Sequence, residues 1–180
     1  MIVHLPTLWT VLVDFLAWLI IHISISQIIA HPSAELFDPD GWLYRERRWE
    51  RHGRTYEVLF KVKRWKEILP DGAALFESGF RKKRLQKVDA GYIRAFIRET
   101  CRAEITHWTI FVFAAFFFIW NIWWVGIIMI LYAVTVNMPC IITQRYNRIR
   151  LTRLLCRLSP SASSSTVAAS STVTTDACDA

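Results

Sequence analysis

The chain of 180 residues has little of what most soluble enzymes are built around. It carries no Gly-rich phosphate loop, no GxSxG elbow and no HExxH pair, which removes the usual signatures of nucleotide hydrolysis, serine hydrolysis and zinc peptidase chemistry. Its four cysteines, Cys101, Cys140, Cys156 and Cys178, show no CxxC pairing and no histidine at ligand spacing. That excludes a zinc site and a disulfide scaffold as readings of the spacing, and the expectation is free thiols with no bound metal. Lys and Arg are absent from the first 44 residues and again from 103 to 144. Large apolar side chains are almost absent from Ser159 onward. Such a segment cannot bury enough surface to offset its ordering entropy, so residues 159–180 read as a disordered Ser/Thr/Ala tail.

What is present is apolar, aromatic and basic. Hydrophobic residues make up 53% of the chain, with 9 Trp and 11 Phe, and the net charge is +7. This combination points to a membrane with anionic headgroups rather than to nucleic acid. The first apolar run, Leu8 to Ala30, is long enough to span a hydrocarbon core of about 30 Å. No cation precedes it, which favours a retained helix over residues 1–30 against a cleaved signal peptide. The second run, Ile105 to Ile142, corresponds to about 57 Å of helix, nearly twice what one crossing needs. Two helices joined near Asn121 to Gly126 fit instead, with Trp120, Trp123 and Trp124 as an interfacial belt at the turn.

Charge placement bears on topology. Seventeen of the 22 cations lie between Arg45 and Arg102, and the other five lie between Arg145 and Arg157. The positive-inside rule places both groups in the cytoplasm, which requires an even number of crossings between them. Length and charge thus agree on an all-α integral membrane protein with three transmembrane helices and the N-terminus outside. Its expected segments are an N-terminal helix (1–30), a basic amphipathic cytoplasmic and interfacial region (31–104), a helical hairpin (105–142), a basic cytoplasmic segment (143–158) and the tail. Within the basic region, Asp89 is placed to cap a helix from Ala90, with Tyr92, Phe96 and Ala103 on one face and Arg94, Arg98 and Arg102 on another.

Chemistry-bearing residues gather in two places. In Glu99-Thr100-Cys101-Arg102-Ala103-Glu104-Ile105-Thr106-His107-Trp108, Glu104 and His107 are helical neighbours at i, i+3. A carboxylate beside an imidazole raises its basicity and fixes its tautomer, as a general base needs; the plainer reading is an ion pair at a membrane entry. The second group, Asn137 to Arg150, contains Asn137, Pro139, Gln144, Arg145, Asn147, Arg148 and Arg150. Pro139 is expected to kink its helix, and the guanidinium forks match phosphate geometry. Asp71, in Leu69-Pro70-Asp71-Gly72, reads first as a turn residue. His52 and Glu57 form an HxxxxE spacing at chance level.

These blocks resemble a known family. Arg64-Trp65-Lys66 with Leu69-Pro70-Asp71-Gly72, then Glu99-Thr100-x-Arg102-Ala103-Glu104-x-x-His107-Trp108, then Asn137-x-Pro139 with Gln144-Arg145-Tyr146-Asn147-Arg148-x-Arg150-Leu151, are similar to the glycosyl-4,4'-diaponeurosporenoate acyltransferases of staphyloxanthin-type carotenoid synthesis. The resemblance spans roughly Trp42 to Leu155. It implies transfer of a fatty acyl group to C6 of the glucose on a glycosylated carotenoid acid, as the last step of that synthesis, by a multi-pass protein of the bacterial cell membrane. It implies acyl-CoA as the donor co-substrate, with no bound cofactor and no nucleic-acid partner. On this reading His107 is the base, and Glu104 orients it. Asp71 joins them as a catalytic candidate, and Glu99, Arg102, Asn137, Gln144, Arg145, Asn147, Arg148 and Arg150 bind substrate. Competing readings are a non-enzymatic lipid-binding or assembly protein and an acyltransferase for another glycolipid acceptor.

Overall fold

The computed structural model describes residues 6–65 and 90–158. Asp71, the Asp89 cap, most of the basic region after Trp65 and the 159–180 tail lie outside the described residues. Among the described residues the fold is all-α, with no strand. Three helices carry it: α1 (Thr7–Ala30), α4 (Ala90–Phe113) and α5 (Trp123–Leu158). Two short helices, α2 (Arg54–Val58) and α3 (Val62–Trp65), follow a 3-10 turn at Arg48–Gly53. Helix α4 continues through a 3-10 stretch at Ala114–Phe118, so one rod runs from Ala90 to Phe118. All three long rods are long and apolar enough to cross a membrane.

Helix α1 starts where Pro6 frees the chain from needing a donor at its first turn. Leu8, Val11, Phe15, Leu19, Ile20 and Ile23 point outward and exposed, as a helix in hydrocarbon allows and one in water does not. Only Asp14 and Ile25 are buried along it. The hairpin reverses between Phe118 and Trp123, with Asn121 N–H donating to Phe117 O. Gly126 sits where a methyl group would come within 2.4 Å of the Phe118 ring, so the close approach of the two arms depends on a residue without Cβ.

Helix α4 runs unbroken through the position between 104 and 105 where the sequence suggested a change from interfacial to transmembrane helix. Helix α5 likewise continues past Ile142 into the basic segment, and Pro139 stands inside it with helix on both sides. The buried stripe of α4 is Ile93, Ile97, Thr100, Cys101 and Glu104 rather than the Tyr92, Phe96, Ala103 face expected from periodicity. The reason is the partner: Ile93 and Ile97 pack on Leu151 of α5, with Phe96 only at the edge of that cluster. A second cluster joins Tyr56 and Val62 of the short helices to Tyr146 and Ile149 of α5. Neither Cys101 nor Cys140 is in a disulfide, whereas Cys156 is disulfide-bonded, which corrects the expectation of free thiols at that position. Spacing along the chain does not report which sulfurs meet in space.

Candidate active site

The basic end of the bundle is organised by two buried carboxylates. Glu104 lies on the buried stripe of α4, and Glu50 is carried inward by the 3-10 turn at Arg48–Gly53; neither side chain is exposed. Arg145 joins them. Its Nε donates to Glu50 Oε1 at 2.8 Å and its Nη1 to Glu104 Oε1 at 2.9 Å. The same guanidinium donates to the carbonyls of Leu43 and Arg45. Arg148 donates to the other Glu104 oxygen and to Tyr44 O, and its guanidinium stacks over the Tyr44 ring at 5.4 Å. Glu50 further accepts from the Tyr56 hydroxyl and from its own turn at Arg47 N–H. Two acids and two guanidinia thus cancel in a buried site, which is the condition under which buried charge is tolerated.

The titration of the groups around this box follows from its geometry. Burial raises the Glu50 carboxyl, but hydrogen bonds from Arg145, Tyr56 and the Arg47 N–H, with the Arg145 charge, carry it below its ordinary value. Tyr44 is pushed up to about 12, first by burial and then by the Cys101 and Glu104 charges. Tyr56 is pushed up by burial and by the Glu50 carboxylate it donates to.

One turn deeper, His107 Nδ1 lies 3.0 Å from Asn137 Oδ1. The orientation of that amide is fixed from the other side, because Asn137 Nδ2 donates to Ala133 O at 2.9 Å. An amide whose nitrogen is engaged presents only its oxygen to the ring. His107 Nδ1 must therefore carry the proton, and Nε2 keeps its lone pair. An imidazole held in that tautomer is ready to take a proton.

The structure thus brings together Glu104, Arg145 and Arg148, and separately His107 and Asn137. It does not pair Glu104 with His107. Glu104 turns to the two guanidinia of α5 and accepts weakly from Trp108 Nε1 at 3.4 Å, and the residue that holds His107 is Asn137. Full positive charges attract a carboxylate more strongly than a neutral ring does. Arg145 and Arg148, read from the sequence as open forks for donor phosphates, are engaged with these carboxylates instead. Arg102 lies 3.4 Å from Glu99 and donates to Pro32 O beyond the end of α1, at 3.0 Å. Arg150 is exposed and lies against Tyr146, apart from the box. Gln144 shares the face of α5 that carries Asn137 and Arg148, and its buried Oε1 has no hydrogen-bond partner among the described residues. Asn147 is half-buried. No three of His, Cys, Asp and Glu converge as a metal would need among the described residues.

Sequence reasoning missed Glu50, Tyr44 and Tyr56. A lone acid within Arg47-Arg48-Trp49-Glu50-Arg51 was the available signal for the first; the tyrosines gave none. His22, an ionisable residue within the first apolar run, has its Nδ1 2.9 Å from Trp18 O.

Comparison with known proteins bears on the family of the chain. The family described as glycosyl-4,4'-diaponeurosporenoate acyltransferase matches residues 40–157. The chain is 33% identical over 138 residues to the glycosyl-4,4'-diaponeurosporenoate acyltransferases of Staphylococcus aureus strains N315 and USA300, covering 77% of this chain and 83% of each relative. No solved structure matches the chain. With two thirds of its length inside the family's bounds, and with all the side chains of the His107–Asn137 pair and the Glu–Arg box within them, the chain belongs to the glycosyl-4,4'-diaponeurosporenoate acyltransferase family and is an acyltransferase.

Proposed function

We propose that this acyltransferase esterifies a fatty acyl group onto the C6 hydroxyl of the glucose on glycosyl-4,4'-diaponeurosporenoate, as the last step of a staphyloxanthin-type pathway in a bacterial cell membrane. The observation that carries a hydroxyl-to-ester reaction is the fixed tautomer of His107, set by Asn137 and, through it, by Ala133 O. In the proposed step, His107 Nε2 takes the proton from the sugar hydroxyl as that oxygen bonds to the acyl carbon of a thioester. The carbon–sulfur bond breaks, and the imidazolium returns its proton to the departing thiolate. Asn137 is a positioning residue for His107. Gln144, Asn147 and Arg102 are candidates to meet the developing oxyanion or the sugar hydroxyls; a single such donor contributes about 2.7–4 kcal/mol in acyl-transfer enzymes. Glu104, Arg145 and Arg148 hold α4, α5 and the Leu43–Arg45 segment in register around that base.

The proposed orientation puts the basic end in the cytoplasm and the N-terminus outside, on the distribution of Lys and Arg. A carotenoid lies along the bilayer and its sugar reaches an interface, which suits a base one turn below the ion-paired end. A lipid-binding protein without catalysis has no use for an imidazole in a fixed tautomer. His107→Ala should lower esterification about 10²–10⁴-fold in purified membranes, the ordinary size of a general-base effect. Full activity in that variant refutes the base assignment. Mass spectrometry of pigments after gene deletion tests the acceptor: a free-sugar carotenoid should accumulate in place of its ester.

A further inference from the structure

With Arg145 and Arg148 engaged by carboxylates, the anionic head of an acyl donor has to be met elsewhere. The other side of the turn that supplies Glu50 offers a place. A shallow groove of about 660 Å³ is lined by Trp49, Arg51, Arg54, Thr55, Val58 and Leu59. Its walls are large apolar side chains left in the open: Trp49 is 53% exposed, Val58 70% and Leu59 69%. Neither Arg51 nor Arg54 forms a salt bridge to a carboxylate among the described residues.

The groove is built rather than incidental. Arg51 and His52 both stand in the left-handed region, at φ of 45° and 60°, and Gly53 follows at 85°. Non-glycine residues rarely adopt that conformation, and here it is held by His52 N–H donating to Glu46 Oε1 at 2.7 Å. The Thr55 hydroxyl closes the bend by donating to Trp49 O at 2.6 Å. The result turns Trp49 and Arg51 outward on either side of Glu50, which faces inward to Arg145. Groove and catalytic end therefore share one turn of chain.

We propose that this groove binds the acyl donor, a long-chain acyl thioester whose head carries phosphate, with the chain along Trp49, Val58 and Leu59 and the phosphate at Arg51 and Arg54. An apolar trough rimmed by two cations suits an anionic amphiphile and neither a bare sugar nor an uncharged carotenoid. The assignment rests on the acyl-transfer reading above and adds the donor's location to it.

The test uses the full chain in nanodiscs, with palmitoyl-CoA as donor and its non-reactive thioether analogue as a binding probe. Arg51→Gln/Arg54→Gln should weaken analogue binding and raise the donor KM about tenfold, near the contribution of one hydrogen bond to a charged group. Leu59→Asp should do the same from the apolar side. The KM for the acceptor should stay where it was; loss of folded protein would lower the rate without raising either KM. Donor binding unchanged in both variants overturns the proposal. So does a defect that tracks the fraction of anionic phospholipid in the disc and not the donor concentration, since the groove would then face the lipid surface. Wild-type protein that binds the analogue through Arg51 and Arg54 but esterifies no glycosylated carotenoid would overturn the acceptor reading and leave the groove standing.

Discussion

The two ends of the α4–α5 hairpin each bury acidic side chains, and they do so in opposite ways. At the turn, Asp14 of α1 accepts from Trp120 Nε1 and Asn121 Nδ2, each at 2.7 Å, so one carboxyl is served by two neutral donors. At the basic end, Glu50 and Glu104 are served by two guanidinia, with tyrosines and backbone groups filling the remaining positions. The first arrangement docks one helix on a turn. The second draws five separate stretches of chain, around Tyr44, Glu50, Tyr56, Glu104 and Arg145–Arg148, onto one point. Neutral donors suffice where a single contact must hold; matched charges are needed where many segments converge on buried carboxylates.

That contrast can be broken most severely at Glu104. Glu104→Ala leaves Arg145 and Arg148 facing each other without their shared partner, and should cost about 3–5 kcal/mol, read as a large loss of thermal stability in detergent. Arg145→Lys should lose most of the same stability, because an ammonium cannot reproduce a fork that reaches Glu50, Glu104 and two carbonyls together. Asp14→Ala at the other end should cost less, about 1–3 kcal/mol, the penalty for leaving the Trp120 and Asn121 donors without their acceptor, and should loosen α1 without changing the Glu–Arg box. Protease sensitivity of α1, measured beside the melting temperature, separates the two. Asn137→Ala should lower esterification about tenfold, since His107 loses the bond that fixes its tautomer.

The smallest effect sharpens the comparison through pH. Glu50 titrates below its unfolded value of 4.5, so its contribution is complete above that pH and is lost as the pH falls through the lower folded value. Melting temperature should therefore fall on acidification below about 4.5, and Glu50→Gln should flatten that part of the profile while lowering its plateau.

Much of this architecture was legible beforehand. The lengths of the two apolar runs gave three rods and a reversal near Asn121, and two polar clusters, with a family resemblance across them, pointed to His107, Asn137, Glu104, Arg145 and Arg148. The pairing among them was not legible. Glu104 and His107 are three apart, and helical spacing alone made them partners; what decided otherwise was the register of α5, which presents two cations to one and an amide to the other. Contacts such as Arg145 with Glu50, 95 residues away, leave no periodic trace. The continuity of α4 and α5 through the drawn boundaries was hidden for a similar reason: composition changes at those points while backbone hydrogen bonding does not.

Helix α5 carries Asn137 and Arg148 on a single uninterrupted rod, eleven residues and about 16 Å apart. The orientation of His107 and the neutralisation of Glu104 are therefore geared to the same shaft. A twist of α5 large enough to strip Arg148 from Glu104 would also swing the Asn137 amide off the imidazole. On the proposed assignment the imidazole is primed as a base only when the ionic lock is shut, so a half-assembled bundle would leave His107 out of tune.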